Sequence, residues 1–445
     1  MIYENDYPAP WPLWQKVLFR FFFIYLLLHV FSRPFFDGLP VFKLIGDVQD
    51  YICFVGVNLF NTYVLHFKDK LMPVERSSDA LYNWAQLILF FTLAVAGTIV
   101  WSIADRKRKS YYRASYYSMA VLRYFLAYIS LMYGIIKMYG LQMPFPTLTN
   151  LATPLGDYSP MKFSWLFVGY DTKYQIFSGI LEFMVGAMLL YRRTVTLGLF
   201  IGLGVYINVL MLNLSFDIPA KIFSVHVVLM LLYLLMRDVK RLANFFVLNK
   251  PATQNILYHF VPSKTGNVIR IVLKCIFLLS VMYLIAGPFN SRKRYLETEK
   301  KEIKPIPFGL YNVTTFVKNG DTLPVLANDT LIWKDIIFER GNKYASVNSA
   351  DTIFKNLYNR GVFYYKADTL KNTMSCFKTT EKGRKVIFNL KYKLSGNKRH
   401  VQMWVQLKKD SLYIELDKSN RKFILGEKPF HWITDVNRYN KAHYK

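Results

Sequence analysis

Seven apolar stretches, at about 15–31, 84–104, 116–140, 174–191, 195–213, 220–236 and 268–289, constrain this chain more than any other feature. Crossing a hydrocarbon core of about 30 Å takes roughly 20 mostly apolar residues in a helix. Each stretch reaches that length or comes close. Inside lipid the backbone N–H and C=O groups find no water, so a spanning stretch must bond them within itself as a helix. The expected fold is therefore a membrane bundle of about seven helices. The first stretch starts with Lys16 and Arg20, and Ser32-Arg33-Pro34 follows it in place of a small-residue cleavage site. That is the pattern of a retained anchor rather than a removed signal peptide.

After Pro288 the apolar stretches stop, and the chain changes character. The whole sequence carries 57 Lys+Arg against 29 Asp+Glu, a net charge of +28; residues 290–445 hold 31 of the basic and 15 of the acidic ones. Aromatics at 17% and apolar types at 53% exclude a disordered chain. Three cysteines and no Cys-x-x-Cys pair exclude a disulfide scaffold and a dithiol centre. In the tail, 311–317, 331–338, 362–365, 386–394, 401–407 and 411–416 are rich in β-branched and aromatic residues, several with period-two alternation. Asn319-Gly320-Asp321 and Ser395-Gly396-Asn397 supply turn chemistry between them. A soluble β-rich barrel or sandwich is expected over 290–445, with a short helix near Ala350–Leu357 capping one end.

Orientation follows from Lys and Arg in the short loops. Arg106–Lys109 follow the second stretch, Arg192-Arg193 the fourth, and Arg237, Lys240 and Arg241 the sixth. All fall on one side if the N-terminus is cytoplasmic, and seven crossings then place the tail outside. The outer location argues against nucleic acid as the partner of the basic tail and for solubility and anionic lipid heads. Ile45–Leu65, with Asp47, Gln49, Asp50, Asn58 and Asn61, would as an eighth span invert this map. It reads as an amphipathic helix lying in the interface. The organisation is thus N-terminal spans with this interfacial segment over 1–115, a four-helix core over 116–240, a cytoplasmic loop and last span over 241–289, and the β domain over 290–445.

Ionisable residues within lipid are costly unless paired or hydrated, so they mark candidate sites. Arg123, Lys137, Glu182, His226, Arg270 and Lys274 fall in the apolar stretches. Glu182 lies about eight residues from the outer end of its helix, roughly 12 Å deep at ~1.5 Å per residue. Lys137, on the preceding helix, is within reach as its partner. Two readings stand. The pair locks two helices together, or Glu182 is a carboxylate that handles a proton or touches a quinone. His226 reads as an interhelical hydrogen-bonder, with His29 as a possible partner. No second histidine lies at ligand spacing, so no metal or haem is expected. Gly134, Gly140, Gly179, Gly186, Gly198, Gly202 and Gly204 suit close helix approach. In the tail, Pro429–Asp435 is an aromatic segment around His431, read as a terminal strand or cap.

Taken together, Arg123, Tyr133-Gly-Ile-Ile-Lys137, Glu182-Phe-Met-Val-Gly186 and Arg192-Arg193-Thr-Val-Thr-Leu-Gly198 resemble the DoxX family over about residues 116–240. That resemblance implies a compact four-helix membrane module. The extra spans and β tail resemble longer DoxX-like proteins of Gram-negative bacteria, which implies an inner-membrane protein with a periplasmic domain. It further implies a membrane oxidoreductase associated with quinone, and carries over Lys137, Glu182 and Arg192 as candidate catalytic positions. The alternative is a non-catalytic envelope protein whose β domain binds a lipid or a protein partner. The chain shows no paired inverted halves or broken helices of the kind transporters use.

Overall fold

The computed structural model describes residues 10–32, 43–74, 77–251, 264–301, 305–324, 332–340, 344–380, 383–407 and 410–427. Among the described residues, seven helical segments are long and apolar enough to cross a membrane: Leu13–Phe31, Leu81–Ala104, Tyr112–Met138, Thr172–Leu190, Val195–Ser215, Lys221–Phe246 and Lys264–Arg294. The protein is a multi-pass membrane protein with a β domain. The helices are α1 (Leu13–Phe31), α2 (Lys43–Phe60), α3 (Leu81–Ala104), α4 (Tyr112–Met138), α5 (Leu148–Ala152), α6 (Pro160–Tyr170), α7 (Thr172–Leu190), α8 (Val195–Ser215), α9 (Lys221–Leu235), α10 (Val239–Phe246), α11 (Lys264–Lys301) and α12 (Ile424–Glu427).

The chain forms two compact units that do not follow its order. One holds 1–142 and 173–290, the other 143–172 and 291–445. The core of the first is built by α4, whose buried residues Leu122, Phe125, Leu126, Ile129 and Leu131 meet α1, α7, α8 and α9. α11 runs on past its apolar stretch to Lys301 with Pro288 inside it. Proline there deletes one N–H and crowds the preceding turn.

α2 is not one of the seven spans, because Lys43, Asp47 and Asp50 load its first half with charge. It continues as a π-helix over Asn61–Leu65. The asparagines that look misplaced in sequence clamp the loop that follows. Asn58 accepts from the Leu71 N–H at 2.8 Å and donates to its carbonyl at 3.1 Å, and Asn61 donates to the Lys68 carbonyl at 2.6 Å. Val57, Leu71, Tyr82 and Ala85 close a small core beneath them.

Arg20 is 98% buried, and its charge is absorbed locally. Its guanidinium donates to the Tyr111 hydroxyl at 2.6 Å, the Ser102 hydroxyl at 2.7 Å and the Asp105 carbonyl at 3.3 Å. Trp11, Phe19, Trp101 and Tyr111 pack around it edge-on and stacked. At the opposite end of the chain's helical order, Asp79 accepts from the N–H groups of Lys221 and Ile222, both at 2.9 Å. It thereby satisfies the open donors at the start of α9.

The second unit is a barrel. Its strands are β1 (Gly309–Lys318), β2 (Asp321–Leu323), β3 (Asp335–Phe338), β4 (Tyr344–Val347), β5 (Lys355–Leu357), β6 (Arg360–Asp368), β7 (Thr373–Thr380), β8 (Gly383–Leu394), β9 (His400–Gln406) and β10 (Ser411–Lys418). Pairing runs β1-β3-β4-β6-β7-β8-β9-β10, and β10 pairs β1, closing eight antiparallel strands; β2 and β5 extend hairpins from it. Closure leaves the main strands without open edges. Alternate residues point inward, and register stacks them in layers: Leu390–Val405–Leu412, then Tyr392–Met403–Ile414, then Leu394–Val401–Leu416. Trp333, Phe354, Phe363 and Phe388 fill the centre.

Three expectations need correction here. Ala350–Leu357 is a turn leading into β5, not a helix, since Phe354 is drawn into the barrel core. The strand expected from 331 begins at Asp335, preceded by an irregular stretch that buries Ile332 and Trp333. Strands β2, β4, β5 and β7 were not anticipated. Pro429–Asp435 lies outside the described residues.

The segment 143–172, which the sequence places between α4 and α7, packs onto this barrel. The Thr149 N–H donates to the buried Glu339 carboxylate at 2.5 Å, and the hydroxyls of Thr149 and Ser346 meet at 2.8 Å. Asn359 reaches Asp157 at 2.9 Å, and the Tyr158 and Tyr358 rings lie 5.0 Å apart. Nearby, Tyr344 has its phenol pushed up to about 12 by burial and by the Glu339 charge.

Candidate functional site

α4 and α7 approach so closely that their backbones touch, and glycine makes that possible. A Cβ on Gly134 would lie 2.7 Å from the Phe183 nitrogen, and one on Gly179 would lie 2.8 Å from the Gly134 carbonyl oxygen. Small residues at a helix crossing give close packing in lipid, where burial of apolar surface offers no drive of its own. At this crossing, where a Cβ on Gly179 would also meet the Lys137 Cβ at 2.8 Å, the two helices present Lys137 and Glu182 to each other. The Lys137 ammonium donates to Glu182 Oε1, with Lys137 7% and Glu182 1% exposed. The sequence expectation that these two meet is thus met in geometry.

The second carboxylate oxygen is the unusual atom. Glu182 Oε2 is enclosed and has no hydrogen-bond partner among the described residues. Leaving a buried charged acceptor unsatisfied is costly. Beside it, Tyr206 of α8 is buried within range of the Glu182 charge and donates its hydroxyl to Ser130 at 2.8 Å. Lys137, Glu182, Tyr206 and Ser130 therefore form a polar cluster contributed by three helices inside an otherwise apolar core.

Arg192 is elsewhere. Its guanidinium donates to the Tyr116 hydroxyl at 2.9 Å. Tyr116 and Lys137 stand 21 residues apart on α4, about 30 Å at ~1.5 Å per residue, so Arg192 belongs to the opposite end of the bundle. Arg123 lies on the same side as Arg192, its guanidinium 5.1 Å from the Tyr124 ring centre.

His226 has two neighbours on α1. Its Nε2 lies 2.8 Å from the Tyr25 hydroxyl, its Nδ1 lies 2.6 Å from the Ile222 carbonyl oxygen, and its ring stacks on His29 at 3.9 Å. A carbonyl can only accept, so Nδ1 carries the proton and Nε2 accepts from Tyr25. The stacked pair was only a possibility in the sequence, because 197 residues separate its members. Among the described residues no group of three or more His, Cys, Asp or Glu is placed to hold a metal ion. Cys376 is wholly buried in the barrel core, and burial pushes its thiol well above the usual range.

Comparison with known proteins adds a relative without a role. The chain is 30% identical over 130 residues to the uncharacterised protein YwoB of Bacillus subtilis (strain 168), an alignment covering 28% of this chain and 80% of YwoB. The chain belongs to the family of YwoB. The alignment is shorter than the described helical unit, so YwoB has no counterpart for most of this chain. No family model matches, and no solved structure matches.

Proposed function

We propose that this protein is a quinone-associated redox protein of a bacterial inner membrane, in which Glu182 accepts a proton beside the quinone. The observation that carries the reading is the Glu182 carboxylate, buried with one oxygen held by Lys137 and the other without a partner. A quinol that gives up electrons also releases protons, and a carboxylate with an open lone pair in a water-poor site is a suitable acceptor. Lys137 fixes the geometry, and Tyr206 with Ser130 adds hydroxyls through which a proton could leave. The likeness of Lys137, the Glu182–Gly186 run and Arg192 to DoxX motifs supports the same reading. Arg192, at the other end of the bundle, is not part of this proton site.

The orientation belongs to the same proposal. The clusters Arg106–Lys109, Arg192-Arg193 and Arg237–Arg241 favour a cytoplasmic N-terminus. Seven crossings then put the barrel in the periplasm and Glu182 in the outer half of the bilayer.

A hollow of about 770 Å³ at one end of the barrel supports a second reading, capture of a lipid or other envelope partner by the β domain. It adjoins the Leu390–Val405–Leu412 layer and is flanked by Trp404 and Tyr413, whose rings lie 5.5 Å apart. The rest of the barrel is filled, so the hollow is a mouth rather than a through-going cavity.

Mass spectrometry of small molecules carried through purification in mild detergent separates the two. The first reading expects a quinone in the wild type and its loss from Glu182→Gln with the protein still monodisperse. A lipid held equally by both forms, with no quinone in either, favours the second.

A further inference from the structure

α6 opens on the usual helix-start signals, with Pro160 in its first turn and the Ser159 hydroxyl accepting from the Lys162 N–H at 3.3 Å. Its sequence, Pro-Met-Lys-Phe-Ser-Trp-Leu-Phe-Val-Gly-Tyr, carries Lys162 as its only charge. Its 11 residues extend about 16 Å, too short to cross a hydrocarbon core of about 30 Å. Its outward stripe is nevertheless apolar. Phe163 is 42% and Phe167 69% exposed, and residues four apart share one face of a helix. A helix that faces water places polar and charged residues there instead.

The chain itself limits what can lie against that stripe. α6 runs into the spanning helix α7 through Asp171 alone. The 19 residues of α7 cover about 28 Å, nearly the whole hydrocarbon core, so Thr172 stands at its edge. Phe167 precedes Thr172 by five residues, a stretch of at most about 12 Å. The last turn of α6 is also held from its other side. A Cβ on Gly169 would lie 2.6 Å from the Pro144 carbonyl oxygen and 2.9 Å from that of Met143, which follows the end of α4 by five residues. We infer that α6 lies in the headgroup layer of the bilayer, with Phe163 and Phe167 turned into the acyl boundary, so that its partner is the phospholipid surface. A short helix in the plane of the interface buries its apolar face in this way. Trp165 and Tyr170, both half-buried, are residue types enriched at that depth. The contact belongs to the unit that contains the barrel, which thereby has a lipid anchor of its own. Nothing in it depends on the role proposed for Glu182.

The test uses the full chain in nanodiscs of phosphatidylcholine whose acyl chains carry a photoactivated diazirine, followed by trypsin and mass spectrometry. Cleavage after Lys162 and Lys173 releases α6 as the peptide 163–173, and cleavage after Lys173 and Arg192 releases the spanning peptide 174–192. Acyl adducts are expected on both, with those of the first mapping to Phe163 and Phe167. The peptide 367–371, which holds the 96% exposed Leu370 of the β6–β7 turn, should carry none. Phe167→Asp should lower the adducts on 163–173 about tenfold or more, the scale of one apolar side chain leaving lipid, with 174–192 still tagged. Phe167→Leu keeps the position apolar and should keep the adducts. The proposal is overturned if 174–192 is tagged and 163–173 is not, or if Phe167→Asp is tagged as heavily as the wild type. Adducts on 163–173 that appear in discs holding one chain and vanish in discs holding two would assign the stripe to a second copy, and overturn it as well.

Discussion

Lys137→Met is expected to destabilise the helical unit by about 3–5 kcal/mol, the range found when one partner of a buried ion pair is removed. The reason is asymmetry. Lys137 and Glu182 are both almost fully buried, so losing the ammonium strands a carboxylate whose other oxygen already lacks a partner. Glu182→Gln leaves the Lys137 ammonium without its counter-charge but should cost less, because its side-chain carbonyl still accepts from Lys137. The double variant Lys137→Met with Glu182→Gln should recover much of the loss, since it leaves no buried charge at all. Equilibrium unfolding in detergent of the wild type, both single variants and the double variant gives the coupling directly. If Lys137→Met proves as stable as the wild type, the pair does not hold α4 to α7.

In spheroplasts, Leu370→Cys should react with a membrane-impermeant maleimide as fully as it does after lysis. Leu370, in the turn between β6 and β7, is 96% exposed, whereas the native Cys376 is wholly buried and would report nothing about sidedness. Lys107→Cys, in the α3–α4 turn among the basic residues, should react only after lysis. The two positions are therefore expected to give opposite all-or-none patterns. The reverse pattern would place the barrel in the cytoplasm, and with it Glu182 in the inner half of the bilayer.

What could be read from the sequence was whatever depends on local pattern. Hydropathy located the seven spans because lipid imposes helix on every long apolar stretch. The long strands β1, β8, β9 and β10 were legible because inward residues recur at every second position: Phe388, Leu390 and Tyr392 between polar neighbours, and Val401, Met403 and Val405 with Gln402 and Trp404 between them. β7 was missed because its inward residues, Met374 and Cys376, stand among Thr and Ser, so its contrast is weak. β4 and β5 are too short to announce themselves. Nothing local could show that 143–172 belongs with the barrel, since Thr149 meets Glu339 across 190 residues. The same holds for the polar centres. Glu182 and Lys137 stood out because charge in lipid is rare, but Tyr206 and Ser130 beside them did not, as hydroxyls are ordinary in spanning helices. Arg20 stands in the sequence only as a basic residue at the start of the first stretch, and its hydroxyl partners come from α3 and the α3–α4 turn.

The claim that most needs a direct measurement is proton uptake at Glu182. Infrared difference spectroscopy, recorded on the purified protein while an added quinol is oxidised, follows carboxyl groups as they gain or lose a proton. A protonated-carboxyl band that appears in the wild type and is missing from a folded Glu182→Gln variant is the predicted result. Identical difference spectra from the two proteins would mean that the carboxylate takes no part, leaving the Lys137–Glu182 pair as a clasp between two helices.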